Sequence, residues 1–262
     1  MSIIEPKSNV LKVSKLTTLD TLAMHRVFVK YYHNADIDTF LNDLSKKQYV
    51  LIMRDRATSE IVGFSTIALL NMDLDGHQAV GLFSGDTVLE EPYWGARRWQ
   101  FTWGLFCIWL RIRYFRRPFF WLLISKGYKT YMLLANNFVQ YYPKEKSDNK
   151  DLAKVVDMYC SELFPEAFDV EKRILDFGDK YQHLQDGVAD IGELLVSQES
   201  KIRFFEECNP EWRRGTELPC VGVFEFKMLT NYVKKMLKGR VSKASKDKKQ
   251  GRLENSGEGA VR

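Results

Sequence analysis

Two short stretches hold the residue types that could do chemistry. The first is Trp94-Gly95-Ala96-Arg97-Arg98, where one glycine opens toward a helix and two arginines follow it. A turn that feeds a helix leaves its first amide N–H groups unpaired. Those amides and the helix dipole together favour an anion such as a phosphate. Gly95 permits close backbone approach, and Arg97 and Arg98 add charge. The same residues also fit a tight turn with two solvated arginines, and the sequence alone leaves both readings open. The second stretch is Gly81–Val88, an otherwise apolar strand that contains Asp86. A carboxylate there is costly unless it is used or paired, which makes Asp86 a candidate base. The alternative is an aspartate at a strand bulge after Gly85, bonding nearby backbone amides.

Other chemistries find little to work with. The histidines His25, His33, His77 and His183 stand alone, with no HExxH or His-x-x-His, so no metal site is expected. Cys107, Cys160, Cys208 and Cys220 form no CxxC pair and are expected to be reduced thiols. There is no phosphate-binding Walker loop, no GxGxxG and no GxSxG elbow.

The elements that position these residues follow from periodicity. Leu19–Lys47 reads as two helices broken at Asn34–Asp38, with Asp36 or Asp38 able to cap the second. Gln48–Arg54, Ile61–Leu70 and Ala79–Leu89 read as a three-strand meander, its second turn marked by Asp75-Gly76. Ala96–Arg113 is apolar nearly all round and is expected to be a buried helix ended by Arg116-Arg117-Pro118. Phe119–Ser125 reads as a strand buried on both faces, and Tyr128–Phe138 as the next helix. Leu152–Phe164 and Ile191–Cys208 look helical, Leu218–Phe226 reads as a late strand and Lys227–Leu237 as a closing helix. The segment Asp169–Asp190 gives no clear pattern. This order indicates an α/β protein with a mixed sheet rather than a doubly wound one.

Charge is divided unevenly. The chain has 262 residues and net charge +5, yet residues 231–262 hold ten Lys/Arg and three Asp/Glu, so that segment carries +7 and the rest −2. Residues 241–262 are expected to form a disordered basic tail, solubilising or touching anionic lipid or nucleic acid. The rest is mildly acidic, so no specific nucleic-acid partner is expected. No export signal and no run of about 18 apolar residues is read, which points to the cytoplasm. Trp99–Trp121 interleaves four of the six tryptophans with Arg111, Arg113, Arg116 and Arg117. It reads either as a core helix with arginines at its exit or as a surface for an acyl chain, a carrier protein or lipid headgroups.

The element order and the segment LEEPYWGARRWQ resemble the GNAT acyl-CoA N-acyltransferase superfamily, in a divergent and poorly characterised bacterial branch. In that family a hydrophobic strand leads to an (Arg/Gln)-x-x-Gly-x-(Gly/Ala) turn whose amides bind the cofactor pyrophosphate. Here Trp94 stands where the family usually has Arg, Gly95 keeps the first glycine, and Arg98 lies near the place of the second. Ile124–Tyr131 through Tyr142-Pro143 is similar to the family's splayed strand and following helix, and Phe204–Phe224 to an extension of bacterial relatives. The resemblance implies a mostly antiparallel mixed sheet flanked by helices. It divides the chain into a core over 1–143, an extension over 144–240 that completes the same domain, and the tail.

The resemblance further implies transfer of an acyl group from a CoA or acyl-carrier-protein thioester to an amine on a small molecule or peptide. The cofactor phosphates would lie on Trp94, Gly95, Ala96, Arg97 and Arg98. Asp86 and Ser84 would lie on the reacting strand, and Tyr128 or Tyr131 would serve as the acid. The alternative is a non-catalytic module of the same shape that binds an acyl chain, a lipid surface or a protein.

Overall fold

Alternation of apolar side chains sets the sheet. The computed structural model describes residues 5–33, 35–94, 96–178, 183–184 and 200–225. In chain order they form β1 (Lys7–Lys12), α1 (Thr18–Phe28), β2 (Tyr32–His33), α2 (Ile37–Ser45), β3 (Tyr49–Arg54), β4 (Ile61–Leu74) and β5 (His77–Leu89). Then come α3 (Arg98–Arg113), β6 (Phe119–Ser125), α4 (Tyr128–Asn137), β7 (Tyr141–Tyr142) and α5 (Lys150–Leu163). The last are β8 (Phe168–Asp169), β9 (Ile174–Leu175), β10 (His183–Leu184), α6 (Ser200–Cys208) and β11 (Leu218–Val223). The helix expected over Lys227–Leu237, the part of Ile191–Cys208 before Ser200 and the basic tail lie outside the described residues.

Seven strands pair in the order β1-β3-β4-β5-β6-β11-β7. Every neighbouring pair is antiparallel except β5 and β6, which run parallel. A parallel pair needs a crossover, and α3 supplies it. The expected mixed, mostly antiparallel sheet flanked by helices is therefore present. Asp75 and Gly76 join β4 to β5 with φ of 52° and 84°, the left-handed values that a two-residue hairpin loop requires. The C-terminal strand β11 inserts between β6 and β7, so residues 218–223 are part of this sheet.

In β3, Val50 and Ile52 pack with Met24, Val27 and Phe28 of α1 and with Phe40 and Leu44 of α2. Leu51 and Met53 point the other way, toward Tyr93 and the half-buried Trp99 and Trp103. Alternation thus puts α1 and α2 on one face and α3 on the other. α5 contributes Val155, Val156 and Tyr159 to a further cluster with Leu70, Phe83, Leu122 and Val221. Burying each such side chain is worth about 1.5–3 kcal/mol. α1 starts with a reciprocal Thr17/Asp20 capping box, Asp36 caps α2, and Asn149 caps α5.

One strand lies where no element was read from the sequence, and one expectation changes. The N-terminal segment, polar and lysine-rich, forms edge strand β1 against β3. α3 is not buried all round: Phe106, Cys107 and Leu110 face the core while Leu105, Trp109 and Ile112 are exposed. A helix lying on one face of a sheet has only one stripe to bury, whatever its composition.

Candidate active site

The register of β5 against β4 breaks where the chemistry was expected. Ser65 pairs with Thr87 and Ile67 with Ser84, so Thr66 alone faces both Gly85 and Asp86. This is a β-bulge, which withdraws the extra residue from the ladder and re-aims its side chain. Gly85 is required there, because a Cβ would stand 2.5 Å from Thr66 Oγ1. On its other edge β5 pairs with β6 only from Val80↔Phe119 to Ser84↔Leu123, while β6 continues beside β11 as far as Ser125↔Leu218. The two parallel strands thus part just before Asp86. Ser84 Oγ sits at the fork and accepts a hydrogen bond from Trp121 Nε1 at 2.9 Å.

Four charges collect at the fork. Asp86 is half-buried on the bulge, and Lys47, just past α2, is half-buried with its Nζ 4.9 Å from the centre of the Phe83 ring. Lys126 follows β6 and reaches Glu217 Oε1 at 2.9 Å, with its ammonium 5.3 Å from the Tyr32 ring centre. Glu217, immediately before β11, is fully buried. Among the described residues, neither its second carboxylate oxygen, Oε2, nor the buried Thr66 Oγ1 has a hydrogen-bond partner.

Burial pushes the Asp86 carboxyl above the ordinary carboxylate range, with Lys126 and Lys47 acting against that rise. Burial raises Glu217 likewise, opposed by Lys126, and lowers Lys47, opposed by Asp86. A carboxylate with a raised pKa beside ammonium groups can accept a proton from a substrate. Lys47, Lys126 and Glu217 were not singled out in the sequence. The signal that marks Asp86 also marks Glu217, a carboxylate at the edge of the apolar run Leu218–Val223.

The phosphate turn is built differently from expectation. Trp94 N–H donates to Glu91 O and Ala96 N–H to Tyr93 O, each at 3.0 Å. Arg97 N–H and Arg98 N–H donate to the two carboxylate oxygens of Glu5, at 3.1 and 3.0 Å. α3 has no side-chain cap from its own sequence, and Glu5 supplies an anionic one from 92 residues away. These amides do form an anion seat, but a carboxylate of the same chain sits in it. Gly95 lies outside the described residues. Trp94 is exposed, its Nε1 donates to Leu89 O at 2.7 Å, and Lys129 Nζ lies 6.0 Å from its ring centre.

The two tyrosines separate. Tyr128 is half-buried at the first turn of α4. Tyr131 is fully buried, its hydroxyl donates to Pro143 O at 3.1 Å, and its ring packs near Phe205. Burial raises the Tyr131 hydroxyl far above its ordinary pKa. Tyr131 is therefore a core residue, and the acid role expected of it is withdrawn. Among the described residues no group of His, Cys, Asp and Glu could hold a metal. The buried thiols of Cys107, Cys160 and Cys220 are all raised by burial, which makes them poor nucleophiles.

No protein-family profile matches the chain, and neither does any curated protein. Solved structures do. A conserved protein of unknown function from Enterococcus faecalis V583, described as a probable N-acyltransferase, is 12% identical over 49% of this chain and 32% of its own, with a TM-score of 0.38. A Trypanosoma brucei acetyltransferase is 14% identical over 55% of this chain and 99% of its own, also at 0.38. The GNAT family N-acetyltransferase YhbS of Escherichia coli, solved with CoA, is 10% identical over 52% of this chain and 73% of its own, at 0.36. This chain thus spans about a third of the Enterococcus protein.

Proposed function

We propose that this chain, whose sheet order and forked strand pair are GNAT-like, transfers an acyl group from a CoA thioester to an amine. The observation that carries the reading is the fork: β5 bulges at Gly85–Asp86 where β6 leaves it, beside a carboxylate with a raised pKa. Asp86 takes a proton from the acceptor's ammonium group. The freed amine nitrogen attacks the thioester carbonyl, whose oxygen the bulge amides polarise. The carbon–sulfur bond breaks, the nitrogen gives up its second proton to solvent as the amide forms, and the thiolate leaves as a thiol once protonated. Tyr128, on the helix that follows the fork, is the candidate for that last proton. An acyl carrier protein is the alternative donor, its phosphopantetheine bringing the same thioester to the same fork.

The cofactor pyrophosphate would take the Arg97 and Arg98 amides, so Glu5 must leave when the donor binds. Glu5→Ala is then expected to bind CoA and acetyl-CoA several-fold more tightly than the parent, read by calorimetry and by a rise in melting temperature with ligand. The occupied seat also favours a second reading, a non-catalytic module of the same shape. That reading holds if neither protein responds to CoA, acetyl-CoA or a long-chain acyl-CoA.

A further inference from the structure

The outer face of α3 is a feature that acyl transfer leaves unused. Leu105 is 47% exposed, Trp109 47% and Ile112 61%, at i, i+4 and i+7 spacing, and Phe115 just beyond the helix is 57% exposed. These side chains share one stripe about three turns long. Single exposed apolar residues are ordinary, but a contiguous row with two aromatics marks a contact surface. The charge carried by the helix itself is of one sign. From Arg98 to Arg117 there are five arginines and no acidic residue. Arg113 lies 6.0 Å from the Trp109 ring centre, and Arg116 lies 5.2 Å from that of Phe115, so cations and exposed rings occupy the same patch. Among the described residues, Arg113, Arg116 and Arg117 form no ion pair. The adjoining edge strand continues the pattern: β1 contacts α3, and Lys7, Lys12 and Lys15 are exposed with no acid between them. No described helix is long and apolar enough to cross a membrane.

From this we infer that α3 lies in the interface of an anionic bilayer, with Leu105, Trp109, Ile112 and Phe115 among the acyl chains and Arg113 and Arg116 on the headgroup phosphates. A helix with an apolar stripe and a cationic rim binds by buried area together with attraction to anionic lipid. The absence of any acid from Arg98 to Arg117 favours this occupant over a second copy of the chain, which would set like charges against each other. The proposal is independent of acyl transfer.

Co-sedimentation of the full chain with phosphatidylcholine vesicles, alone and mixed with phosphatidylglycerol, tests it. The protein is expected to bind the anionic vesicles and to release in high salt. Trp109→Glu/Ile112→Glu and Arg113→Glu/Arg116→Glu alter exposed positions, so both variants should keep the parent's circular dichroism and melting temperature. Each should bind about tenfold more weakly or worse. Vesicle binding unchanged in both variants would assign attachment to the basic tail and overturn the proposal. So would a parent that ignores anionic vesicles, or a parent dimer that Trp109→Glu/Ile112→Glu turns monomeric while vesicles go unbound.

Discussion

Asp86 sits on a bulged strand with Lys126 and Lys47 as counter-charges, and Glu217 is held by Lys126. Breaking that pair from one side leaves a carboxylate buried without compensation. Lys126→Ala is therefore expected to lose about 3–5 kcal/mol at neutral pH in urea denaturation. The loss should shrink in acid, where Glu217 takes up a proton. Lys126→Ala/Glu217→Gln should recover most of it, since no buried charge then remains. A single variant as stable as the parent would mean that water, rather than Lys126, solvates Glu217. Asp86 was legible as a residue because a charge inside an apolar strand is conspicuous. Its partners were not, because Lys47 and Lys126 lie at the ends of other elements and only the fold brings them to it. Glu5 was illegible for the same reason: its hydrogen bonds span 92 and 93 residues.

Elements were easier to read than partnerships. Phe119–Ser125 and the Asp75-Gly76 hairpin match their expected positions, since each is set by local chemistry. β1 was missed because an edge strand needs only one apolar side and tolerates lysines on the other. α3 was misjudged because apolar composition does not say how much of a helix finds a partner. The close approach of α4 to β11 sits at Gly222, where a Cβ would meet Phe138 Cδ1 at 2.6 Å and Leu134 Cδ1 at 2.7 Å. Gly222→Val should therefore cost about 1–3 kcal/mol of stability by overpacking, measured as a lower urea midpoint at unchanged slope. Because β11 lies between β6 and β7, the variant should also loosen the strand that places Lys126. An unchanged midpoint would show that α4 can retreat from the sheet without penalty.

Over the whole molecule, two groups of carboxylates pull the pH dependence of stability in opposite directions. Asp20 is lowered by Arg54, Asp176 by Arg214, and Asp55 falls to about 2 through the Tyr93 hydroxyl and backbone amides. Their folded pKa lies below the unfolded value, so their stabilisation is present above about pH 4 and is lost as pH falls toward their folded values. Asp86 and Glu217 lie above the unfolded value. Their contribution is complete below about pH 4 and disappears as pH rises through the folded values. Stability should accordingly peak in mild acid, and Glu217→Gln should flatten the decline on the alkaline side. Guanidinium melts across the pH range would read both limbs, and a parent curve that rises steadily to neutral pH would contradict the raised carboxyls.

Acyl transfer by Asp86 at the β5/β6 fork is tested most directly by following thioester consumption with mixed amines as a function of pH, for the parent and Asp86→Asn. The parent should turn over acyl-CoA with kcat/KM that climbs with pH through a group titrating above the usual carboxylate range. Asp86→Asn, folded as the parent, should lose that limb and fall by about 10²–10⁴-fold. A parent that consumes no thioester, or a variant with the parent's rate and pH profile, would contradict the assignment.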